Sequence, residues 1–340
     1  MSKPLILLFI TLILLVPMIS ISYIVVQTRQ SEQTEFSNLE SIAKLKTEQI
    51  ENWLSERQGD CETLIGSINL MIDIKKLIQH PDDPDQKNSI SSRLDLLRSA
   101  YDYDYESVLL VDTQGNLLLG KGNHLDVSPV VQTLLAQSIA DKQIMHTDLY
   151  REESGHIHMD WIVPIIARPD SGEHVIAAIV LRVDPHRFLY SMIQTWPTRS
   201  DSAETLLVRK EDHDVLYLNE LPHLKGTALV LKKPLSTSAL PAAVAVQTDQ
   251  PGMMQGRDYR RVEVLAAYRP IAGTDWHIVA QIYRAELLKP MWQTLKWIVA
   301  IALVAALSIF LAFWMLLRKQ GQLQKLEVEA EKTSLGWYCH

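Results

Sequence analysis

The sequence predicts an α+β chain held at a membrane. Two tandem modules built on antiparallel sheets stand on a long N-terminal stalk helix, flanked by two transmembrane helices. Three observations carry this. Two uncharged apolar stretches, residues 4–28 and 297–317, bracket the globular sequence of residues 29–296. Apolar residues recur every three or four positions across residues 31–79. Beyond residue 105 the pattern changes to short strand-like runs separated by turn residues, and the same order of runs occurs twice.

The first stretch runs from Pro4 to Thr28 between Lys3 and Arg29. About 20 apolar residues suffice for a helix to cross a bilayer. The alternative, a cleaved signal peptide, has an apolar region of about 7–15 residues followed by a small-x-small site. Here the run continues through Ile19, Ile21, Ile24, Val25 and Val26 without such a site, so an uncleaved anchor is expected. The second stretch, Trp297 to Leu317, lies between Lys296 and Arg318, with Trp292, Trp297 and Trp314 near its ends as interfacial aromatics. Lys3, Arg318, Lys319 and Lys325 favour cytoplasmic termini and an external segment 29–296. Arg29, Lys289 and Lys296 weaken the contrast.

The external segment carries 37 Asp and Glu against 28 Lys and Arg. It has no basic stripe, which argues against nucleic acid as a partner. Of the two cysteines, Cys61 is external and Cys339 is expected to be cytoplasmic, so they cannot pair within one chain. Cys61 could bridge a dimer, but among Leu64 and Ile65 a buried thiol is the stronger expectation.

Residues 31–79 read as the stalk helix, with Gly59 and Gly66 as places for a bend and residues 80–88 (HPDDPDQKN) as a loop. Ser107–Val111 and Asn116–Leu119 read as a hairpin turning at Asp112-Thr-Gln-Gly115. Ser128–Ala140 reads as a helix capped by Ser128, with Pro129 in its first turn. Strands are expected at 144–150, 156–167 and 174–183, with turns at Glu153-Ser-Gly155 and Asp170-Ser-Gly172 and a closing helix at 185–196. The order then recurs: a hairpin at 205–209 and 215–218, a short helix at 240–247, strands at 252–256, 262–269 and 276–283, and a helix from Arg284 into the second span. The expected divisions are 1–28 (terminus and first span), 29–80 (stalk), 81–197 (membrane-distal module), 198–290 (membrane-proximal module), 291–317 (second span) and 318–340 (start of a signalling helix).

With these elements in place, the chain resembles the double-Cache sensor family, whose members carry two PAS-like modules behind a long stalk helix. The resemblance covers nearly all of residues 28–296. Its most specific pieces are Val108-Leu-Leu-Val-Asp112-Thr-Gln-Gly115-Asn, then Gln255-Gly-Arg-Asp-Tyr259 through Ala266-Ala-Tyr268-Arg-Pro270-Ile-Ala-Gly273-Thr-Asp-Trp276. That tail looks like the end of periplasmic sensors in bacterial histidine kinases, diguanylate cyclases and chemoreceptors. The resemblance implies a small ligand in a pocket over the sheet of the first module. The amino-acid-sensing branch uses an Arg followed by a Trp-aromatic pair with a downstream Asp. Arg151 and Trp161 are too far apart for this, and Arg187 and Trp196 lie on a different element, so amino-acid binding is not supported.

His156, His158 and Asp160 alternate, so a strand places them on one face, compatible with a metal, a ligand or a solvated surface. Trp161 lies on the opposite face, as core. Tyr101, Tyr103, Tyr105, Tyr150 and Arg151 could line a polar-aromatic pocket or simply pack. The residues assigned to ligand binding are Tyr105, Tyr150, Arg151, His158 and Asp160. No metal or cofactor is assigned, and Asp112 reads as a turn residue. No nucleophile motif, phosphate loop or paired metal spacing points to catalysis.

After the second span, Leu316, Leu323, Leu326, Ala330 and Trp337 form a weak heptad of the kind that pairs two helices, so a homodimer is expected. The sequence stops at His340 without a kinase or cyclase domain. The expected function is a two-pass membrane sensor that binds a small extracytoplasmic molecule and signals to a cytoplasmic output. The rival is a ligand-free structural or accessory subunit.

Overall fold

The computed structural model describes the backbone of residues 3–100, 105–167 and 172–335, and their side chains apart from 3–17, 100, 313, 316–317, 320 and 323–335. Tyr101, Tyr103, most of the turn at 170–172, Trp337 and Cys339 lie outside the described residues, as do the side chains of most of the first apolar stretch and of Leu316, Leu323, Leu326 and Ala330. The chain divides into two units, residues 36–283 and a second made of residues 1–35 with 284–340.

Helix α1 (Lys3–Ile65) is followed by α2 (Ile68–Gln79). The break falls at Gly66–Ser67, one of the two glycines expected to mark a bend, while Gly59 continues the helix. The buried side of α1 presents Leu39, Ile42, Ala43, Ile50, Trp53, Cys61 and Leu64, at the spacing of one helix face. Residues 80–88 are not all loop. Helix α3 (Pro84–Ala100) starts within them, because Asp83 Oδ1 accepts from the Asp85 and Gln86 amides and Pro84 costs no hydrogen bond in a first turn.

Cys61 is fully buried, and loss of hydration, with Asp60 beside it, pushes its thiol up to about 12. The thiolate is the reactive form. In a Cys339→Ser background, Cys61 is expected to resist N-ethylmaleimide in the native chain and to react after denaturation. Labelling of native protein within minutes would contradict its burial.

The first sheet follows. Its strands are β1 (Tyr105–Val111), β2 (Leu117–Gly122), β3 (Met145–His146), β4 (Tyr150–Arg151), β5 (Ile157–Ala167) and β6 (His174–Val183), with α4 (Pro129–Asp141) between β2 and β3 and the short α5 (Leu189–Gln194) after β6. The order is β2-β1-β6-β5-β3, with β4 also pairing β5, and every pairing is antiparallel. Ser128 caps α4 by accepting from the Val131 amide at 3.3 Å. Asp112 is a turn residue: its carboxylate accepts from the Gln114 and Asn116 amides and from the Asn116 side chain. Leu109, Val111, Ile162, Ala178 and Val180 pack under Val131 and Leu135 of α4. The other face is buried too, with α3 lying on β1 and β2. Strands covered on both faces read as continuous apolar runs instead of alternating ones.

The second sheet comprises β7 (Glu204–Glu211), β8 (Asp214–Tyr217), β9 (Lys232–Pro234), β10 (Gly252–Arg257), β11 (Glu263–Pro270) and β12 (Trp276–Tyr283), with α6 (Pro241–Thr248) before β10. Its order, β10-β11-β12-β7-β8-β9, repeats the first sheet with one additional edge strand, β9. Helix α6 covers a core that includes Leu206, Val208, Tyr217, Ala266 and Val279. Side chains join the two sheets. Asp148, between β3 and β4, accepts from Trp276 Nε1 at 2.8 Å and pairs with Arg209 of β7.

In the other unit, helix α7 (Arg284–Leu335) follows β12 without a linker. Arg284 Nε bonds Glu32 at 2.7 Å, and Thr28 Oγ1 contacts Met291 Sδ. The segment Arg284–Ala312 is long and apolar enough to cross a membrane.

Candidate functional site

The sheet pairings set one row of polar residues across the first sheet. Ser107 of β1 faces Arg182 of β6, and Arg182 faces Asp160 of β5. The next row on the same face is Leu109, Val180 and Ile162, which lie under α4. The polar row is therefore the end of the face that α4 leaves to the β2–α4 loop and the β4–β5 turn.

Arg182 and Asp160 are both 0% exposed. Arg182 Nε donates to Asp160 Oδ1 at 3.0 Å and Nη2 donates to Oδ2 at 3.3 Å, a two-pronged pair. The remaining guanidinium protons reach the carbonyls of His124 (2.8 Å) and Asp126 (3.1 Å). Tyr150 donates to Asp160 Oδ2 at 2.5 Å and accepts from Ser128 at 3.2 Å. Burial, with Asp160 alongside, pushes the Tyr150 phenol up, so it acts as a hydrogen-bond donor and not as an anion.

A second group joins this end. His158, 1% exposed, places Nδ1 3.2 Å from Glu106 Oε2 and Nε2 3.5 Å from Glu152 Oε2. The His158 ring holds the Glu106 carboxyl below its usual range, against the opposing effect of burial. The His124 ring lies tilted against His156 (4.2 Å between centroids) and His158 (5.6 Å). Glu152 also lies 3.5 Å from Arg182 Nη1.

Of the five residues assigned from sequence, the structure brings Tyr150, His158 and Asp160 together. It does not bring Tyr105 or Arg151 to them. The Tyr105 hydroxyl bonds Asp60 of α1 at 2.8 Å, and the Arg57 guanidinium lies over its ring. The register of β1 shifts between Tyr105 and Ser107, so the bulge at Glu106 reverses which face Tyr105 presents. Arg151 is exposed and reaches the Ala228 carbonyl of the second module at 2.7 Å. The face holding His158 and Asp160 is buried, not solvated. Sequence reasoning missed Arg182, although a lone charge inside the run Val175–Val183 signals a buried, paired group.

The second module repeats the position with different chemistry. Gln281 faces Glu204 where Arg182 faces Ser107. Glu204, 2% exposed, accepts from Gln281 at 2.7 Å and from Tyr259 at 3.1 Å. Burial raises its carboxyl pKa, with these two bonds opposing. A carboxyl raised on folding contributes stability below its unfolded pKa of about 4.3 that is lost as pH rises through the folded value. Glu204→Gln removes that titration and is expected to raise Tm at pH 8, by about 2–4 °C if the gain is roughly 1 kcal/mol. At pH 4.5 the gain should vanish. Thermal unfolding at the two pH values checks this, and an equal effect at both would contradict it.

The Cache domain family model matches residues 27–291. Among solved structures, the chain is similar to the periplasmic sensory domain of the Campylobacter jejuni chemoreceptor Tlp1: TM-score 0.55, 12% identity, covering 76% of this chain and 99% of that one. It is also similar to an extracellular domain assigned to a histidine kinase, vpHK1S-Z8: TM-score 0.52, 15% identity, 78% and 95% covered. A third is a domain assigned to a sensory box/GGDEF family protein from Vibrio parahaemolyticus: TM-score 0.50, 14% identity, 77% and 99% covered. At these identities the likeness is one of fold. No curated protein sequence matches the chain.

Proposed function

The chain belongs to the Cache domain family, and from that premise we propose that it is a membrane-anchored sensor binding a small extracytoplasmic ligand at the polar end of its first sheet. The observation that carries this reading is the buried Arg182–Asp160–Tyr150 group, which lies beside two loops. Charged groups inside a core cost free energy unless paired, and hydrophobic replacements often serve stability as well or better. Their concentration at one end of an otherwise apolar face fits recognition. The fold similarity to sensory domains supports the same reading.

In this reading residues 81–197 form the ligand module and 198–290 the relay, on a stalk of residues 29–80. Residues 1–28 and 291–317 span the membrane, both termini are cytoplasmic, and the chain works as a homodimer. Asp148, bonded to Trp276 and Arg209, gives the loop before β4 a direct hold on β12 and β7. Strand β12 continues into α7, so a displacement at Asp148 has a covalent route to the span. A ligand shifts such an equilibrium only by its differential affinity for the two states. Nothing in this reading needs catalysis.

A second reading, a ligand-free tether, draws on one observation: the Arg182 guanidinium already bonds Asp160 and two carbonyls. Thermal unfolding of the full chain in nanodiscs, across a broad metabolite panel, separates the two. The sensor reading expects at least one compound to raise Tm in the wild type and not in Asp160→Asn. A flat response across the panel favours the tether.

A further inference from the structure

The charges at this end of the sheet do not balance. One guanidinium, Arg182, faces the carboxylates of Asp160, Glu152 and Asp126. Glu106 adds a fourth carboxylate, 3.8 Å from His124 and 3.2 Å from His158. One donor atom from each of His124, Asp126 and Glu152 lies within 4.8 Å of the other two. We infer that this loop cluster is a binding site for a divalent transition-metal cation, held by His124, Asp126 and Glu152 with His158 behind them. The inference rests on the reading of this end of the sheet as the ligand site and names the ligand's class.

An independent observation points the same way. His158 is 1% exposed, and neither of its ring nitrogens makes an aligned hydrogen bond. Its Nδ1 stands 3.2 Å from Glu106 Oε2 and its Nε2 3.5 Å from Glu152 Oε2. Glu152 Oε1 likewise makes no close hydrogen bond, its contact with Arg182 Nη1 being 3.5 Å. Buried polar atoms in native proteins nearly always make close hydrogen bonds, whereas these have only ion-pair contacts of 3.2–3.5 Å to Glu106, Glu152 and Arg182, which calls for an explanation. A cation between them supplies one.

The donor chemistry narrows the class. Imidazole nitrogen with carboxylate oxygen suits Zn²⁺ and its neighbours in the first transition row. Ca²⁺ and Mg²⁺ prefer all-oxygen shells, and Cu⁺ prefers sulfur. Ligands about 2.1 Å from a tetrahedral Zn²⁺ lie about 3.4 Å apart, so donors within 4.8 Å of one another close in by at most about 1.4 Å. They sit on loops and not on strands or helices. His124 and Asp126 are in the β2–α4 loop, His124 at a positive φ of 44°, and Glu152 begins the β4–β5 turn. Closing that gap would draw the two loops together over Arg182, which couples cation binding to the sensor.

The test uses the full chain in nanodiscs, purified without a polyhistidine tag, stripped with chelator and titrated with ZnCl₂ by calorimetry. The expected result is one Zn²⁺ per chain, with affinity lowered about 10-fold or more by His124→Ala and by Glu152→Gln. Asp82→Asn, on an exposed loop, should bind like the wild type. His124 is partly exposed and Glu152 lies in a turn, so both variants should fold, and their unaltered Tm without metal verifies it. Zn²⁺ bound equally by wild type and both variants places the metal elsewhere and overturns the inference, as does no binding. If Zn²⁺ fails but a panel compound raises Tm in an Asp160-dependent way, the metal inference falls and the sensor reading stands. If both fail, both readings fall.

Discussion

Arg182→Met is expected to lower the stability of the folded chain by about 3–5 kcal/mol, a drop of roughly 10 °C in Tm. Asp160 is fully buried, and removing its guanidinium partner leaves a carboxylate with Tyr150 as its hydrogen-bond donor. The loss extends to the loops, because Arg182 also ties down the carbonyls of His124 and Asp126. The double variant Arg182→Met/Asp160→Asn removes both charges and should regain most of the loss, as replaced buried pairs commonly do. Urea or thermal unfolding of the three proteins checks this. A single variant as stable as the wild type would show that Asp160 is not buried as an ion, and the pair would lose its place at the centre of the site.

Gly122→Ala is expected to cost about 3 kcal/mol or more and to weaken ligand binding at the same time. Gly122 ends β2 at a φ of 111°, which an L residue rarely adopts, and an added Cβ would come 2.1 Å from the Glu106 carbonyl oxygen and 2.7 Å from Ser107 Cα. These are backbone atoms, so no side chain can swing aside. Ser107 pairs with both Gly122 and Arg182, so the strain enters the polar row directly. Gly172 provides the internal control. Its φ is 112°, but among the described residues nothing lies within 4 Å of an added Cβ. Gly172→Ala should therefore show only the backbone cost of about 1–2 kcal/mol, with binding unchanged. Equal losses in the two variants would refute the close approach at Gly122.

The sequence carried the duplicated plan because its signals are local. Strands 174–183 and 276–283 were predicted at their observed bounds, and Ser128-Pro129 marks the start of α4 through capping chemistry. Helix α3 escaped because its start, Pro84-Asp85, follows two turn-rich dipeptides and its apolar face is sparse. Part of the site was legible. His158 and Asp160 share a strand face by parity, and Tyr150 faces them across the β4–β5 pairing, with Tyr150 opposite His158. Tyr105, expected only as part of an aromatic cluster before the strand, is turned to the other face by a bulge at Glu106, and period two cannot foresee one inserted residue. Arg182 is a lone charge in an apolar strand whose partner, Asp160, lies on another strand, so local spacing does not join them. The loop ligands His124 and Asp126 come from a segment with no periodicity, so only the fold could bring them to Glu152.

The central claim is that the chain's ligand enters at the polar end of the first sheet. Hydrogen–deuterium exchange of the full chain in nanodiscs, with and without the panel compound or Zn²⁺ that raises Tm most, tests it directly. The account expects slowed exchange in residues 123–128 and 150–160, and a smaller change around Asp148 and Trp276, where the modules meet. Protection confined to residues 204–283, or none beside a genuine rise in Tm, would contradict it.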